Sequence, residues 1–203
     1  KIIAHELEKQ FQDQEDVKKD IELLSSQVER CNEILKRLTL NPVEEDEFID
    51  KDLTMREYLS EIISSFKEIS KKNFIFNFDQ FSNVKKITKS IEIVYGLRNF
   101  IGNANKFSNE AIYINLKSDS EITEISIEDD GNGYPKDVLS KIGEPYLRTK
   151  DPIDKSKTGL GLGLFIGKTL LEKNFASINC RNSKTRSGAE VIIKWNNKDL
   201  FNI

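Results

Sequence analysis

Asn99-Phe100-Ile101-Gly102-Asn103-Ala104-Asn105-Lys106-Phe107-Ser108 is the stretch around which the rest of the chain makes sense. At about 100° per residue, a helix places Asn99, Asn103 and Lys106 on one narrow stripe. Ile93, Leu97, Phe100, Ile101 and Ala104 then fall on a broad opposite face suited to a core. Asparagine costs a helix roughly 0.5 kcal/mol against alanine, so two of them one turn apart stand against propensity. A lone asparagine there is ordinarily a solvated residue. Two glycine loops downstream, with a Lys/Arg/Thr-rich segment between them, change that reading: together they are the parts of a nucleotide pocket.

The first loop is Glu128-Asp129-Asp130-Gly131-Asn132-Gly133-Tyr134-Pro135, directly after an alternating strand. Gly131 and Gly133 permit a close backbone approach that a side chain would block. Asp129, at the strand end, can accept a hydrogen bond from an amino group, although a plain Asp-Gly turn reads the same way. The second loop, Lys157-Thr158-Gly159-Leu160-Gly161-Leu162-Gly163-Leu164, runs into a helix whose free N–H groups suit phosphate. It is neither a dinucleotide fingerprint nor a Walker loop: the required third glycine falls on Leu164 or Ile166, and no Gly-Lys-Ser/Thr follows. Between the loops, residues 136–158 lack a period and carry Lys141, Arg148, Lys150, Lys155 and Lys157, which suits a mobile cover over a polyphosphate.

Composition bounds the rest. The 203 residues are 37% hydrophobic and 32% charged, the balance of a globular domain plus an exposed helical element. A net charge of −3 without a basic, aromatic-interleaved stripe argues against nucleic acid. Two cysteines, Cys31 and Cys180, make no disulfide scaffold, so a reducing, cytoplasmic setting is expected. No apolar run approaches the roughly 20 residues of a membrane span. The chain opens mid-helix without Met, which suggests a piece of a longer protein.

Apolar residues every three or four positions predict helices over 1–12 and 17–40, joined by a polar turn. Such a hairpin cannot bury its seam alone, and a second copy completing a four-helix bundle is the natural partner. The acidic stretch at 41–52 reads as a linker. Beyond it, helix 54–70 has Tyr58, Ile62, Phe66 and Ile69 as its inner face. Strand 73–78 and helix 88–107 follow, then strands 111–116 and 124–129, helix 163–174, and strands 176–181 and 189–195. Helices and antiparallel strands in this order make an α+β fold, a two-layer α/β sandwich of one sheet under a helix layer.

Asn-x-x-x-Asn-Ala-x-Lys-Phe-Ser at 99–108, Asp-x-Gly-x-Gly at 129–133 and Gly-x-Gly-x-Gly-Leu at 159–164, in that order, resemble the ATP-binding domain of sensor histidine kinases. That domain belongs with gyrase, Hsp90 and MutL. Gly143-Glu144-Pro145-Tyr146, the segment 161–172 and Glu29-Arg30-Cys31-Asn32-Glu33-Ile34-Leu35 further resemble the redox-responsive RegB/PrrB/ActS kinases. The resemblance implies a truncated dimerisation hairpin at 1–40, a linker at 41–52 and an ATP-binding catalytic domain at 53–203. It implies ATP and Mg²⁺ as ligands, with Asp129 reading the adenine amino group and Asn103 ligating Mg²⁺. Asn99 and Lys106 would lie beside the phosphates and Phe107 against the base or ribose, with Gly131 and Gly133 shaping the base pocket. Tyr146, Arg148, Thr149 and Lys150 on one side, and Thr158, Gly159, Leu160, Gly161, Leu162, Gly163 and Leu164 on the other, would complete the ATP contacts, Arg148 reaching the γ-phosphate. A homodimer through the hairpin, a response regulator as next phosphate acceptor, and membrane attachment only through upstream segments of a bacterial inner-membrane sensor are implied as well.

His5, the only histidine, imitates the start of a phosphoacceptor box in His5-Glu6-Leu7, but Glu8-Lys9-Gln10-Phe11 departs from the family pattern. It also stands only about two turns from the hairpin bend. The RegB likeness implies an acceptor a few dozen residues before the cysteine, upstream of Lys1, and His5 reads as an ordinary helix residue. Cys31, on the apolar seam, is either a buried structural thiol or, as the RegB likeness implies, a redox residue; Cys180 reads as strand packing. Two other functions compete: a nucleotide-binding module without catalysis, and an ATP hydrolase. The hydrolases of this superfamily use a glutamate four residues before the asparagine, and here position 95 is Tyr and position 99 is Asn.

Two outcomes are expected. With Mg-ATP the chain by itself takes up no acid-labile, base-stable phosphate; such a label on His5 would overturn the assignment. If Cys31 is the redox residue that the RegB likeness implies, mild oxidation gives a dimer band on a non-reducing gel that Cys31→Ser removes, the two Cα atoms approaching within about 7 Å; no such band would favour the structural thiol.

Overall fold

A computed structural model describes residues 53–79, 86–87, 90–147 and 161–201, all in the unit that begins at Lys51. The hairpin and linker, and with them His5 and Cys31, lie outside the described residues.

Strand β1 (Leu53–Thr54) leads directly into helix α1 (Met55–Ile69). Thr54 and Glu57 start that helix reciprocally: Thr54 Oγ1 accepts the Glu57 N–H at 3.3 Å, and Glu57 Oε2 accepts the Thr54 N–H at 2.7 Å. Met55, Tyr58, Leu59, Ile62, Ile63 and Phe66 form the buried face. Ile69, expected on that face, is 80% exposed. It is the last helical residue, and the chain turns extended at Ser70, so the apolar stripe has run past the layer on which it packs.

The elements that follow are β2 (Asn73–Phe78), β3 (Lys86–Ile87), α2 (Ile91–Phe107), β4 (Ala111–Ser118), β5 (Ile122–Asp129) and α3 (Lys136–Leu139). Then come α4 (Gly163–Lys173), β6 (Ser177–Asn182), β7 (Ala189–Asn196) and α5 (Asn197–Leu200). From residue 53 onward, the expected long elements appear within a few residues of their expected limits. The short β1, β3, α3 and α5 are additional; two to four residues are too few to display a period.

The main sheet runs β2-β4-β5-β7-β6, and β1 pairs separately with β3. An antiparallel arrangement was expected throughout, but β2 and β4 are parallel. The reason is the crossover: α2 lies between them in sequence and returns the chain to the end of the sheet from which β2 began. Along β4, β5 and β7, Ile112, Ile114, Leu116, Ile125, Ile127, Val191, Ile193 and Trp195 are buried on one face. The other face is polar, with Asn77 Nδ2 donating to Asn115 Oδ1 and Asn115 Nδ2 to Ser126 Oγ, both at 3.0 Å. Lys194 and Glu124 pair across that face at 2.7 Å. One apolar and one hydrated face is what a two-layer sandwich requires.

Helix α2 holds the layers in register. Ser90 caps it, its Oγ accepting the Ile93 N–H at 3.3 Å. At the far end, Lys72 Nζ donates to the Asn105 and Ser108 carbonyls, a cation at the negative end of the helix dipole. Arg98, also buried, donates from Nη1 to Ser65 Oγ at 3.1 Å and ties α2 to α1. Helix α4 lies close because α2 offers it a glycine: a Cβ on Gly96 would stand 2.5 Å from Leu171 Cγ.

Leu171 is fully buried, so it cannot swing aside without leaving a void. Gly96→Val therefore destabilises the protein by about 1–3 kcal/mol, the usual cost of overpacking, read as a lower midpoint in urea unfolding. An unchanged midpoint would show that the two helices are not in contact there.

Candidate functional site

The stripe expected from the 99–108 stretch is present: Asn99, Asn103 and Lys106 are half-buried on α2, opposite the core residues Ile93, Leu97, Phe100, Ile101 and Ala104. Asn99 Nδ2 donates to the Tyr95 carbonyl at 2.8 Å, which fixes the amide and frees its oxygen for another partner. That oxygen faces the start of α4, 3.6 Å from where a Cβ on Gly163 would stand. Gly167 maintains the approach one turn later, its Cβ position 3.1 Å from Asn99 Cβ. The first turn of a helix has backbone N–H groups without intrahelical partners, so α2 side chains and these donors converge on one place.

Asp129 ends β5 and is 4% exposed. Its Oδ1 accepts two backbone N–H bonds, from Gly131 at 2.9 Å and Ala189 at 3.2 Å, and Oδ2 accepts neither. Burial lifts this carboxyl above the ordinary carboxylate range, against the pull of both backbone donors. Gly131 must be glycine, because a Cβ would lie 2.3 Å from the Phe107 carbonyl oxygen. That contact brings the end of α2 against the first glycine loop. Gly133 has φ +73, and Asn182 fastens the residue after it, accepting the Tyr134 N–H at 2.6 Å and donating to the Tyr134 carbonyl at 3.0 Å. Asp130, next to Asp129, turns the other way and accepts the N–H groups of Asn109, Glu110 and Ala111.

The two ends of the covering segment also meet. Gly161, at φ +71, accepts the Leu147 N–H at 3.2 Å, and a Cβ there would be 2.2 Å from the Leu147 oxygen. Tyr146, at φ +61, is exposed beside this junction, whereas Leu162, Gly163 and Leu164 are half-buried where the chain enters α4. Phe107 is exposed at the end of α2, with Lys106 Nζ 5.4 Å from the centre of its ring. Arg148, Thr149, Lys150, Thr158, Gly159 and Leu160 lie outside the described residues. An open depression lined by Lys67, Lys72, Asn73, Glu110, Tyr113 and Asp130 contains none of the expected site residues.

Two positions were missed from the sequence. Gly188 packs directly on the Asp129 backbone, its Cβ position 1.9 Å from the Asp129 oxygen, and Asn182 holds the loop at Tyr134. A glycine just before a strand was the available signal for Gly188; nothing local marks Asn182. Cys180 is half-buried on β6 as expected for strand packing, with burial pushing its thiol up to about 11 against a hydrogen bond from Tyr134.

Residues 88–199 match the family described as histidine kinase-, DNA gyrase B-, and HSP90-like ATPase. The sensor histidine kinase RegB of Cereibacter sphaeroides is 29% identical over 216 aligned residues, covering 96% of this chain and 46% of its own. The chain thus spans about half the length of that relative. The mycobacterial sensor histidine kinase MprB shares the fold at a TM-score of 0.59 and 19% identity, over 71% of this chain and 96% of that one. Full-length ShkA, solved in complex with AMPPNP, does so at 0.61 and 17%, over 95% of this chain and 41% of that one. With a matching segment of more than half its length, and with the α+β fold of histidine kinase catalytic domains, the chain belongs to the histidine kinase-, DNA gyrase B- and HSP90-like ATPase family.

Proposed function

We propose that the chain is the ATP-binding part of a RegB-like sensor histidine kinase, which passes the γ-phosphate of ATP to a histidine outside residues 1–203 and from there to a response regulator. Asp129 Oδ2 accepts the 6-amino group of adenine, Phe107 lies against the base or ribose, and Asn99, Lys106 and the first turn of α4 take the phosphates. Arg148 and the other residues of the 146–150 and 158–164 segments close over the triphosphate. The amide oxygen of Asn103 is a hard ligand and fits Mg²⁺, an ion that keeps several waters and takes most other ligands from phosphate. Among the described residues no cluster of three carboxylate, thiol or imidazole groups competes for that metal. When bound, Mg²⁺ neutralises charge on the β- and γ-phosphates.

The observation that carries the kinase reading against hydrolysis is the environment of Asn99. A hydrolase needs a general base to activate water within reach of the γ-phosphate. Position 95 is Tyr, whose carbonyl holds the Asn99 amide, and the acidic residue of α2, Glu92, accepts instead from Ser90 Oγ at 3.1 Å. What α2 supplies is positioning and charge neutralisation, which is most of what phosphoryl transfer demands of a protein. The same reading includes a homodimer through the hairpin, upstream membrane attachment and a redox role for Cys31, all supported by the likeness to RegB.

Joined to its upstream helix, the chain should take up acid-labile, base-stable label from γ-labelled ATP, and Asn103→Ala should abolish it; release of inorganic phosphate without such label would favour a hydrolase. By calorimetry, Asp129→Asn weakens Mg-ATP binding by about tenfold or more, since one charged hydrogen bond is worth roughly 1.5–3 kcal/mol. Because burial raises the Asp129 pKa, the accepting carboxylate is lost as pH falls through that raised value, and ATP affinity falls with it. The sign for stability is opposite: the protonated form is favoured by folding below the ordinary carboxylate range, and that contribution is lost as pH rises through the folded-state value. Asp129→Asn removes both dependences; an unchanged acid limb of the binding curve would refute the role of this carboxyl.

A further inference from the structure

Glu128 and Asp129 are neighbours on β5, so their side chains point to opposite faces of the sheet. Asp129 is on the helix side. Glu128 is on the polar side, yet only 6% exposed, because the β6–β7 hairpin folds over it. Glu128 Oε1 accepts the hydroxyls of Ser183 and Thr185, the latter at 3.0 Å, and Oε2 pairs with Arg186 Nη1 at 2.6 Å. The Arg186 guanidinium lies 3.6 Å above the ring of Tyr113, which is paired with Glu128 across β4 and β5. The turn is braced internally: Ser183 Oγ accepts the N–H groups of Thr185 and Arg186, and Ser183 N–H donates to the Gly188 carbonyl at 2.9 Å.

The same hairpin ends at Gly188 and Ala189, whose backbone presses on Asp129 and donates to its Oδ1. One loop therefore straddles the end of the sheet, hooked to Glu128 by side chains on one face and holding Asp129 by backbone on the other. The remaining loop side chains at 184–187 are exposed, and no apolar residue lies in that turn. Beyond the strand pairing of Asn182 with Ala189, the side chains that hold this turn to the sheet are those on Glu128.

We infer that the Glu128–Arg186 pair is the positioning device of the base-reading carboxylate: it keeps the Ala189 N–H on Asp129 Oδ1, so that Oδ2 stays turned to the 6-amino group of a purine. The inference rests on the reading of Asp129 as the group that receives that amino group. Arginine suits the task better than lysine, because its planar head pairs with a carboxylate while stacking on an aromatic ring. Removing it leaves Glu128 buried without its cation, which favours an opened hairpin.

The test compares the dissociation constants of ATP and of purine riboside triphosphate, which lacks the 6-amino group, for the full 203-residue chain and its Arg186→Met and Arg186→Lys variants. Arg186→Met should weaken ATP by about tenfold and leave the purine riboside nucleotide nearly unchanged, the loss of one well-aimed charged hydrogen bond. Arg186→Lys, which keeps a cation on Glu128, should restore most of the preference. A loss shared equally by both nucleotides, or no loss, would overturn the positioning role while a wild-type preference for ATP left the Asp129 reading standing. No preference in the wild-type chain would overturn both.

Discussion

Two backbone N–H groups, one from the Gly131 loop and one from the start of β7, meet on a single oxygen of Asp129, and most of the site geometry depends on that meeting. A buried carboxylate is costly unless donors are aimed at it, and side-chain donors would crowd the strand end more than backbone ones do. Backbone donors solve the problem only if the chain comes very close. Hence Gly131 lies against the Phe107 carbonyl and Gly188 against the Asp129 backbone, both at distances that exclude a Cβ. The glycines of this site are spacing devices before they are hinges.

Helix α2 supplies the other half of the constraint. Its apolar face is committed to the sheet, so the Asn99–Asn103–Lys106 stripe has a fixed direction. Its C-terminal carbonyls are held by Lys72, its middle is tied to α1 through Arg98 and Ser65, and its closeness to α4 depends on Gly96 and Gly167. Each contact limits a different freedom, whether sliding, rotation or separation. The consequence is a stripe of polar side chains held in one rigid orientation beside the start of α4.

The polar face of the sheet is less passive than an exposed face need be. Its amide ladder and ion pairs keep it hydrated, but at Glu128 the same polarity anchors a hairpin whose backbone serves the opposite face. Strand alternation makes such transmission cheap: adjacent residues share a backbone and report to different sides.

Within the described residues, the sequence by itself determined the long elements and the stripe on α2, because period is a local property carried by covalent order. It also predicted Cys180 as strand packing. Tertiary structure alone decided that β2 runs parallel to β4, that Ile69 escapes the core, and that Arg98 is buried against α1. It alone brought Asn182 to Tyr134, Gly188 and Ala189 to Asp129, and Arg186 to Glu128. These are pairings between residues distant in sequence, set by which strands become neighbours. No local pattern encodes such a pairing, because what fixes it is the burial of the whole apolar face at once.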